Sequence, residues 1–401
     1  MPLRDAIPPA QRGCVLDPLG LTSEQAVEAA HALGMPRANA LEAYKALLRE
    51  GKMPPEVFAF TPPEVVRTLR EESPEGEVIK FLVRVKGRDP SKGHESLAGK
   101  PLETESVLIP MVGSVRGLTY TLCVSSQVGC AMGCGFCETA QMGLIRSLTA
   151  AEIVGQWYAA THVVGVRPKN IVFMGMGEPM DNYEQVMQAV AVLKDHNGAS
   201  VPISHVTIST VGRIDGLRRM REQIKQPTWH RLNLALSLNA PNDEVRDVLM
   251  PVNRRWKMEE LQQELIDWPR FGGNKLCIEY VLIPGVNDSR EHAAQVANFV
   301  RPLKSLVREG ASGDEAADTR ERAVVNVIPY NPRRSSPWPA PTEEQVNAFI
   351  GWLIEERVFV KRRRTKGRQM MGACGQLGNE QIRGRRLVDL TVSPSAAAPG
   401  T

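Results

Sequence analysis

From Thr119 onward, short apolar runs alternate with amphipathic stretches. Candidate strands at 119–123, 170–174, 204–209, 232–238, 276–282 and 323–328 are separated by helical stretches near 149–163, 182–195, 257–268, 288–302 and 342–356. Strands that alternate with helix-period segments are the mark of parallel βα units. Six strands are too few to close an eight-stranded barrel. An α/β fold is therefore expected, either a partial (βα)6 barrel or an open parallel sheet, with its site at the C-terminal ends of the strands.

Before Thr119 the pattern differs. Thr22-Ser23-Glu24-Gln25 has capping-box spacing, and Leu41, Tyr44, Leu47 and Leu48 fall on one helical face ended by Gly51. Prolines at 54–55 and 62–63 divide this region, and a third short helix is expected over 64–71. Two strand-like runs follow, 78–85 and 106–109, separated by the polar loop RDPSKGHESLAGK. The expected organisation is a helical accessory domain over 1–75, a β connector over 76–118, a barrel over 119–365, a mobile cysteine loop with a basic segment over 366–386, and a disordered tail from 387.

Composition narrows the classes. An apolar fraction of 42% with 23% charged residues is that of a globular protein, and no run of eighteen apolar residues occurs. The opening MPLRDAIPPAQRG lacks an apolar signal core, so a cytoplasmic protein is expected. Seven cysteines make a disulfide framework a poor reading there and favour metal or catalytic use. The net charge of +4 says little, but its distribution says more. Between Arg357 and Arg386 ten Lys/Arg stand against one acid, Glu380, which is either a footprint for a polyanion or a solvated loop and tail.

Cys130, Cys134 and Cys137 form C-x3-C-x2-C on a glycine-containing loop just after a strand. Three thiolates so spaced can hold three irons of a [4Fe–4S] cube and leave the fourth iron to a small molecule. Structural zinc is the competing reading; it wants four closed ligands, for which Cys123 is the candidate fourth, although it sits in a strand seven residues away. Buried cysteines that pack as small apolar residues are the third.

C-x3-C-x2-C with Phe136 before the last cysteine resembles the signature of the radical S-adenosylmethionine superfamily, whose partial (βα)6 barrel agrees with the strand count. In detail the chain resembles the dual-specificity rRNA (adenine-C2)-methyltransferases, which act on 23S rRNA and tRNA. The segments that carry the likeness are TLCVSSQVGC, MGMGEPMDNY, VTISTVG, LALSLNAPNDEVRDVLMPVN, EYVLIPGVNDS, NVIPYNP and ACGQLG. The related branch that methylates C-8 of the same adenine shares both extra cysteines, and a radical enzyme with a non-RNA substrate is a further alternative. A zinc-dependent RNA-binding module without catalysis stands as the non-enzymatic one.

The resemblance implies one [4Fe–4S] cluster on Cys130, Cys134 and Cys137 and S-adenosyl-L-methionine as cofactor. It assigns Gly177 and Glu178 to the methionyl amine, and Ser209, Ser237, Leu238, Asn239 and Asn331 to the cofactor's carboxylate, ribose and adenine. It also implies that Cys374 carries a methyl group as S-methylcysteine, that Cys123 resolves the protein–RNA adduct through a transient disulfide, and that Glu105 accepts a proton. RNA contact by the N-terminal helices, a flavodoxin-like electron donor and a monomeric state complete the expectations. The chain departs from the family in having Arg368-Gln369 where an acidic pair is usual, and Asn239 where His is usual. Cys14 and Cys277 are expected to be incidental.

Overall fold

The computed structural model describes residues 17–87, 101–113, 117–269, 271, 274–304 and 323–378. Two helices open it, α1 (Ser23–Ala32) and α2 (Arg37–Glu50). Thr22 caps α1 in a complete capping box with Gln25, and Gly51 ends α2 in the left-handed conformation. Tyr44, Leu47 and Leu48 are buried along one face of α2, each worth about 1.5–3 kcal/mol of transfer energy. The Tyr44 hydroxyl donates to Leu21 O at 2.8 Å. The Ser23 amide donates to Asp195 beyond the barrel's second helix, which fastens the helical pair to the rest.

Twelve strands follow: β1 (Val65–Ser73), β2 (Gly76–Val85), β3 (Leu102–Gly113), β4 (Gly117–Cys123), β5 (Gln127–Gly129), β6 (Leu144–Ser147), β7 (Asn170–Phe173), β8 (Val206–Thr210), β9 (Asn233–Ser237), β10 (Leu276–Leu282), β11 (Ala323–Pro329) and β12 (Val360–Arg362). Ten of them form one sheet in the order β1-β2-β3-β4-β7-β8-β9-β10-β11-β12, and β5 pairs with β6. From β1 to β4 the pairing is antiparallel; from β4 to β12 it is parallel. Each expected barrel strand is present, and β12 adds a seventh parallel strand. Between them run α3 (Glu138–Gln141), α4 (Ala150–Tyr158), α5 (Tyr183–Lys194), α6 (Ile214–Gln223), α7 (Asp243–Leu249), α8 (Met258–Ile266), α9 (Arg290–Lys304) and α10 (Glu343–Glu355). This agrees with the α/β partial barrel that the resemblance implies.

Two expectations fail. Residues 64–71 are not a helix but most of β1, an edge strand in register with β2 from Arg67↔Leu82 to Ser73↔Gly76, with a bulge at Val66 before the Val65↔Val83 pair. The β-branched Val65, Val66 and Thr68 suit a strand, and pairing along β2 overrides a helical reading of eight residues. The strand expected over 106–109 is also longer than its apolar run: β3 spans Leu102–Gly113, and β4 begins at Gly117, ahead of the expected 119. The polar loop 88–100 and the tail from 387 lie outside the described residues.

Register decides which side chains line the barrel. Cys123 pairs with Val172, Val172 with Thr207, and Thr207 with Asn233; Ser237 pairs with Glu279, Glu279 with Asn326, and Asn326 with Lys361. Partners share a face, and so do residues two apart on one strand. Cys123, Ser209, Ser237, Cys277, Glu279 and Asn326 therefore share the inward face, and Arg363, just past β12, continues its row. Their neighbours Val206, Ile208, Leu234, Ile278 and Val325 are buried on the opposite face, toward the helices. The alternation of β8 and β10 is thus apolar outward, polar inward.

Candidate active site

β4 ends at Cys123, and the chain then turns under the barrel mouth. Val124 N donates to Val172 O at 3.0 Å, Gly175 N to Val124 O at 3.0 Å, and Ser126 N to Met176 O at 2.8 Å, so the loops after β4 and β7 are bonded to each other. Gln156 accepts from Ser125 N at 2.8 Å and from the Ser106 hydroxyl at 2.7 Å, which ties β3 to both. At Gly177, φ is +101° and an added Cβ would fall 2.6 Å from Gln127 Cβ and 2.8 Å from its backbone nitrogen. Glycine is required there by approach as well as by conformation.

The ribbon of β5 and β6 presents the cysteine loop. Cys130 N donates to Gly143 O at 3.0 Å, Gly135 N to Leu249 O at 3.0 Å, and Glu138 N to Gly375 O at 2.8 Å. Cys130 and Cys134 are buried and Cys137 is half-buried. Burial pushes all three thiols above the usual range, and their mutual charges raise Cys130 and Cys134 further. Three thiolates crowded this way call for a cationic group between them. No three of the described His, Cys, Asp or Glu side chains converge as a single ion would need, whereas a cube takes its three sulfurs on three different irons. The donor set fits the cluster.

The rim residues follow at the strand ends. Glu178 is buried; its carboxylate accepts from Met180 N and Val211 N, both at 3.0 Å. Burial raises its proton affinity, opposed by bonds from Thr210, Val211 and Met180 and by the charge of Arg213, so an ammonium brought alongside would compensate it. Ser209 and Ser237 sit on the inward row of β8 and β9. Leu238 is fully buried. Asn239 stands at φ +55° with Oδ1 accepting from Val281 N at 3.0 Å, so its side chain supports β10. Asn331 has both ends engaged by the cysteine segment. Its Oδ1 accepts from Arg368 Nε at 3.1 Å and Nη2 at 3.0 Å, and its Nδ2 donates to Cys374 O at 3.4 Å.

Cys374 is exposed on a turn that lies against the cluster loop through the Glu138–Gly375 bond. Cys123 is buried, and its thiol is pushed up to about 12, first by burial and next by the charge of Cys374. Arg363 and the Met174 amide oppose this. Arg363 itself pairs with Glu279 at 3.6 Å and touches Met174 Sδ at 3.5 Å. Burial disfavours its charge, but Glu279 and the thiols Cys374, Cys123 and Cys277 outweigh that and keep it protonated. Glu105 is buried two residues from Val107, the cross-strand partner of Cys123, hence on the same face. It pairs with Lys80 at 2.9 Å.

The sequence reading passed over several of these groups. Arg246 is fully buried and donates to Leu238 O at 3.0 Å, Val211 O at 2.6 Å, Ser237 O at 3.3 Å and Asn253 Oδ1 at 2.8 Å, binding the ends of β8 and β9 beneath the rim. Burial lowers it to about 10, and Cys134 is the foremost charge holding it up. Much of the basic run is engaged within the chain. Arg362 makes two bonds of 2.6 Å to Glu343, Lys366 reaches Pro110 O at 2.6 Å, and Arg364 pairs with Glu75 at 3.3 Å. Arg383, Arg385, Arg386 and Cys14 lie outside the described residues.

A partial α/β barrel with three cysteines on the loop after its first parallel strand defines a radical S-adenosylmethionine enzyme. The profile of the radical SAM superfamily matches residues 124–297. A chain from Protochlamydia amoebophila, named a probable dual-specificity RNA methyltransferase RlmN 1, is 41% identical over 82% of this chain and 79% of its own length. The dual-specificity RNA methyltransferase RlmN of Cereibacter sphaeroides is 35% identical over 87% of this chain and 79% of its own. The crystal structure of a radical SAM methyltransferase from Sphaerobacter thermophilus superposes with a TM-score of 0.72 at 31% identity, covering 90% of this chain and 99% of that one. The chain belongs to the RlmN family of dual-specificity RNA methyltransferases. It is thus an S-adenosylmethionine-dependent RNA methyltransferase, and superfamily membership implies S-adenosylmethionine and a [4Fe–4S] cluster. No helix among the described residues is long and apolar enough to cross a membrane.

Proposed function

We propose that the chain methylates C-2 of an adenine in 23S rRNA, with tRNA as a second substrate, and that the methyl group passes through Cys374. Cys130, Cys134 and Cys137 would hold the cluster, and Gly177, Glu178, Ser209, Ser237, Leu238, Asn239 and Asn331 form the rim for the cofactor. When bound, these groups supply a methyl donor and a 5′-deoxyadenosyl radical. Methylation of an aromatic carbon with no nucleophilic character needs such a radical.

The residues have separate tasks. Cys374 accepts the methyl group on sulfur; that methyl would give up one hydrogen atom to the radical, its carbon would bond to C-2 of the base, and the adduct would lose the odd electron to the cluster that had supplied one. Glu105, on the face shared with Cys123, takes the proton that leaves the adduct. Cys123 then attacks Cys374 Sγ: a sulfur–sulfur bond forms and the carbon–sulfur bond breaks. Its electron pair passes to the carbon on the base, which takes up a proton. Such exchange needs access and a thiolate, and Arg363 is the cation facing both sulfurs. A cytoplasmic location and a flavodoxin-like electron donor belong to the same proposal.

The observation that carries this reading is the position of Cys374. Its turn is bonded to the cluster loop through Glu138 N and Gly375 O at 2.8 Å, and its charge is the second cause that raises Cys123. One sulfur within reach of two partners is what a carrier requires. The test is nucleoside analysis of rRNA and tRNA from a host lacking its own enzyme, against C-2 and C-8 methyladenosine standards. Wild type should yield the C-2 product and Cys374→Ala none. A C-8 product, or unmodified RNA from the wild type, would refute the proposal.

A further inference from the structure

We propose that Lys80 is a positioning residue: with Glu105 it forms a buried clasp that holds both ends of the Cys374 segment. The inference rests on the reading of Cys374 as carrier. Lys80 lies in the middle of β2, between Ile79 and Phe81, and is 4% exposed. Lysine is almost never so buried unless it is paired. Its ammonium reaches Glu105 diagonally across the β2–β3 ladder at 2.9 Å, and both side chains are 5% exposed.

What makes the pair more than structural is its outer contacts. Lys80 Nζ donates to Met371 O at 2.9 Å. Glu105 Oε2 accepts from Gly378 N at 3.0 Å. Residues 371 and 378 are the two stems of the segment, and Cys374 stands near its middle. A single ion pair therefore grips both stems. The tip is held by lighter bonds, Gln376 Nε2 to Pro332 O at 3.1 Å among them. If the segment leaves, the ammonium loses an acceptor and the carboxylate loses a donor, both in a buried site where an unmade bond is expensive. The same departure uncovers the Glu105 oxygen that Gly378 N had occupied. Release of the carrier and exposure of the carboxylate are thereby one event.

Amide hydrogen exchange on the full chain under anaerobic conditions reads the clasp directly. Lys80→Met alone would strand a buried carboxylate and threaten folding, so the informative variant is the double Lys80→Met/Glu105→Leu, in which an apolar pair replaces the ionic one. Its amides over 371–378 should exchange at least about tenfold faster than in the wild type, tenfold being the loss of just one of the two hydrogen bonds to a charged group that the variant removes. Lys80→Arg, which keeps both donors, should restore protection to within about threefold. Amides of β10 should be unchanged in both variants. Unchanged exchange over 371–378 in the double variant would overturn the clasp, and so would equal loosening of β10. The measurement needs no turnover, so a chain that fails to methylate RNA yet shows these rates would sink the carrier reading and leave the clasp standing.

Discussion

Replacing Gly177 by alanine tests whether the strap before Glu178 is as closely packed as the geometry says. At φ +101° an L-residue is strained by about 1–2 kcal/mol. The added Cβ would also stand 2.8 Å from the backbone nitrogen of Gln127, which cannot turn aside, for about 1–3 kcal/mol more. The total is about 2–5 kcal/mol. Gly165→Ala is the control: φ there is +83° and nothing lies within 4 Å of the new Cβ, so it carries the conformational strain alone. Urea unfolding of both variants, followed by tryptophan fluorescence, separates the two causes. Gly177→Ala should unfold at a clearly lower midpoint than Gly165→Ala. It should also bind S-adenosylmethionine more weakly by equilibrium dialysis, because Glu178 moves with the strap. Equal midpoints and equal binding would refute the reasoning.

Cys123 is pushed up to about 12 from an ordinary 9.0, chiefly by burial, so its labelling by iodoacetamide should rise about tenfold per pH unit over roughly pH 7–9; a flat profile would contradict this. Because folding raises this thiol, its contribution to stability is complete below the unfolded value of 9.0 and is lost as pH climbs through about 12. Arg246→Met leaves the carbonyls of Val211, Ser237 and Leu238 without their donor and should cost about 3 kcal/mol or more in thermal unfolding; a change under about 1 kcal/mol would show that the rim does not depend on it. Arg362→Gln should leave the salt dependence of RNA binding unchanged, since Arg362 is already paired with Glu343; a slope reduced by about one would show that it meets a phosphate instead.

The barrel was legible because its strands are short apolar runs set at regular intervals, and each of the six is where the pattern put it. The capping box at Thr22 and the left-handed Gly51 were legible for the same local reason. What failed depended on distant partners. Val65–Ser73 becomes a strand only because β2 lies beside it, and β12 is three residues long, too short for any period to show. The cysteine spacing marked out the loop of Cys130, Cys134 and Cys137, but nothing local tells Lys80, which is buried, from Arg84, exposed four residues on in the same strand, or marks Arg246 as buried. Lys80 shows its role only when β2, β3 and the 371–378 segment come together. Within the basic run, Arg362, Arg364 and Lys366 contact acids or carbonyls of the chain itself, which composition cannot reveal. Arg368, where an acidic residue is usual, proves to reach Asn331, a contact that spacing could not show.

The central claim is that a methyl group rests on Cys374 before it reaches RNA. Mass spectrometry of the Cys374 peptide, after anaerobic incubation with methyl-labelled S-adenosylmethionine and then a chase with unlabelled cofactor and rRNA, tests it directly. The label should appear on Cys374 before RNA is added, leave that peptide during the chase, and be recovered on adenine. Label that reaches adenine while Cys374 never carries it would contradict the claim.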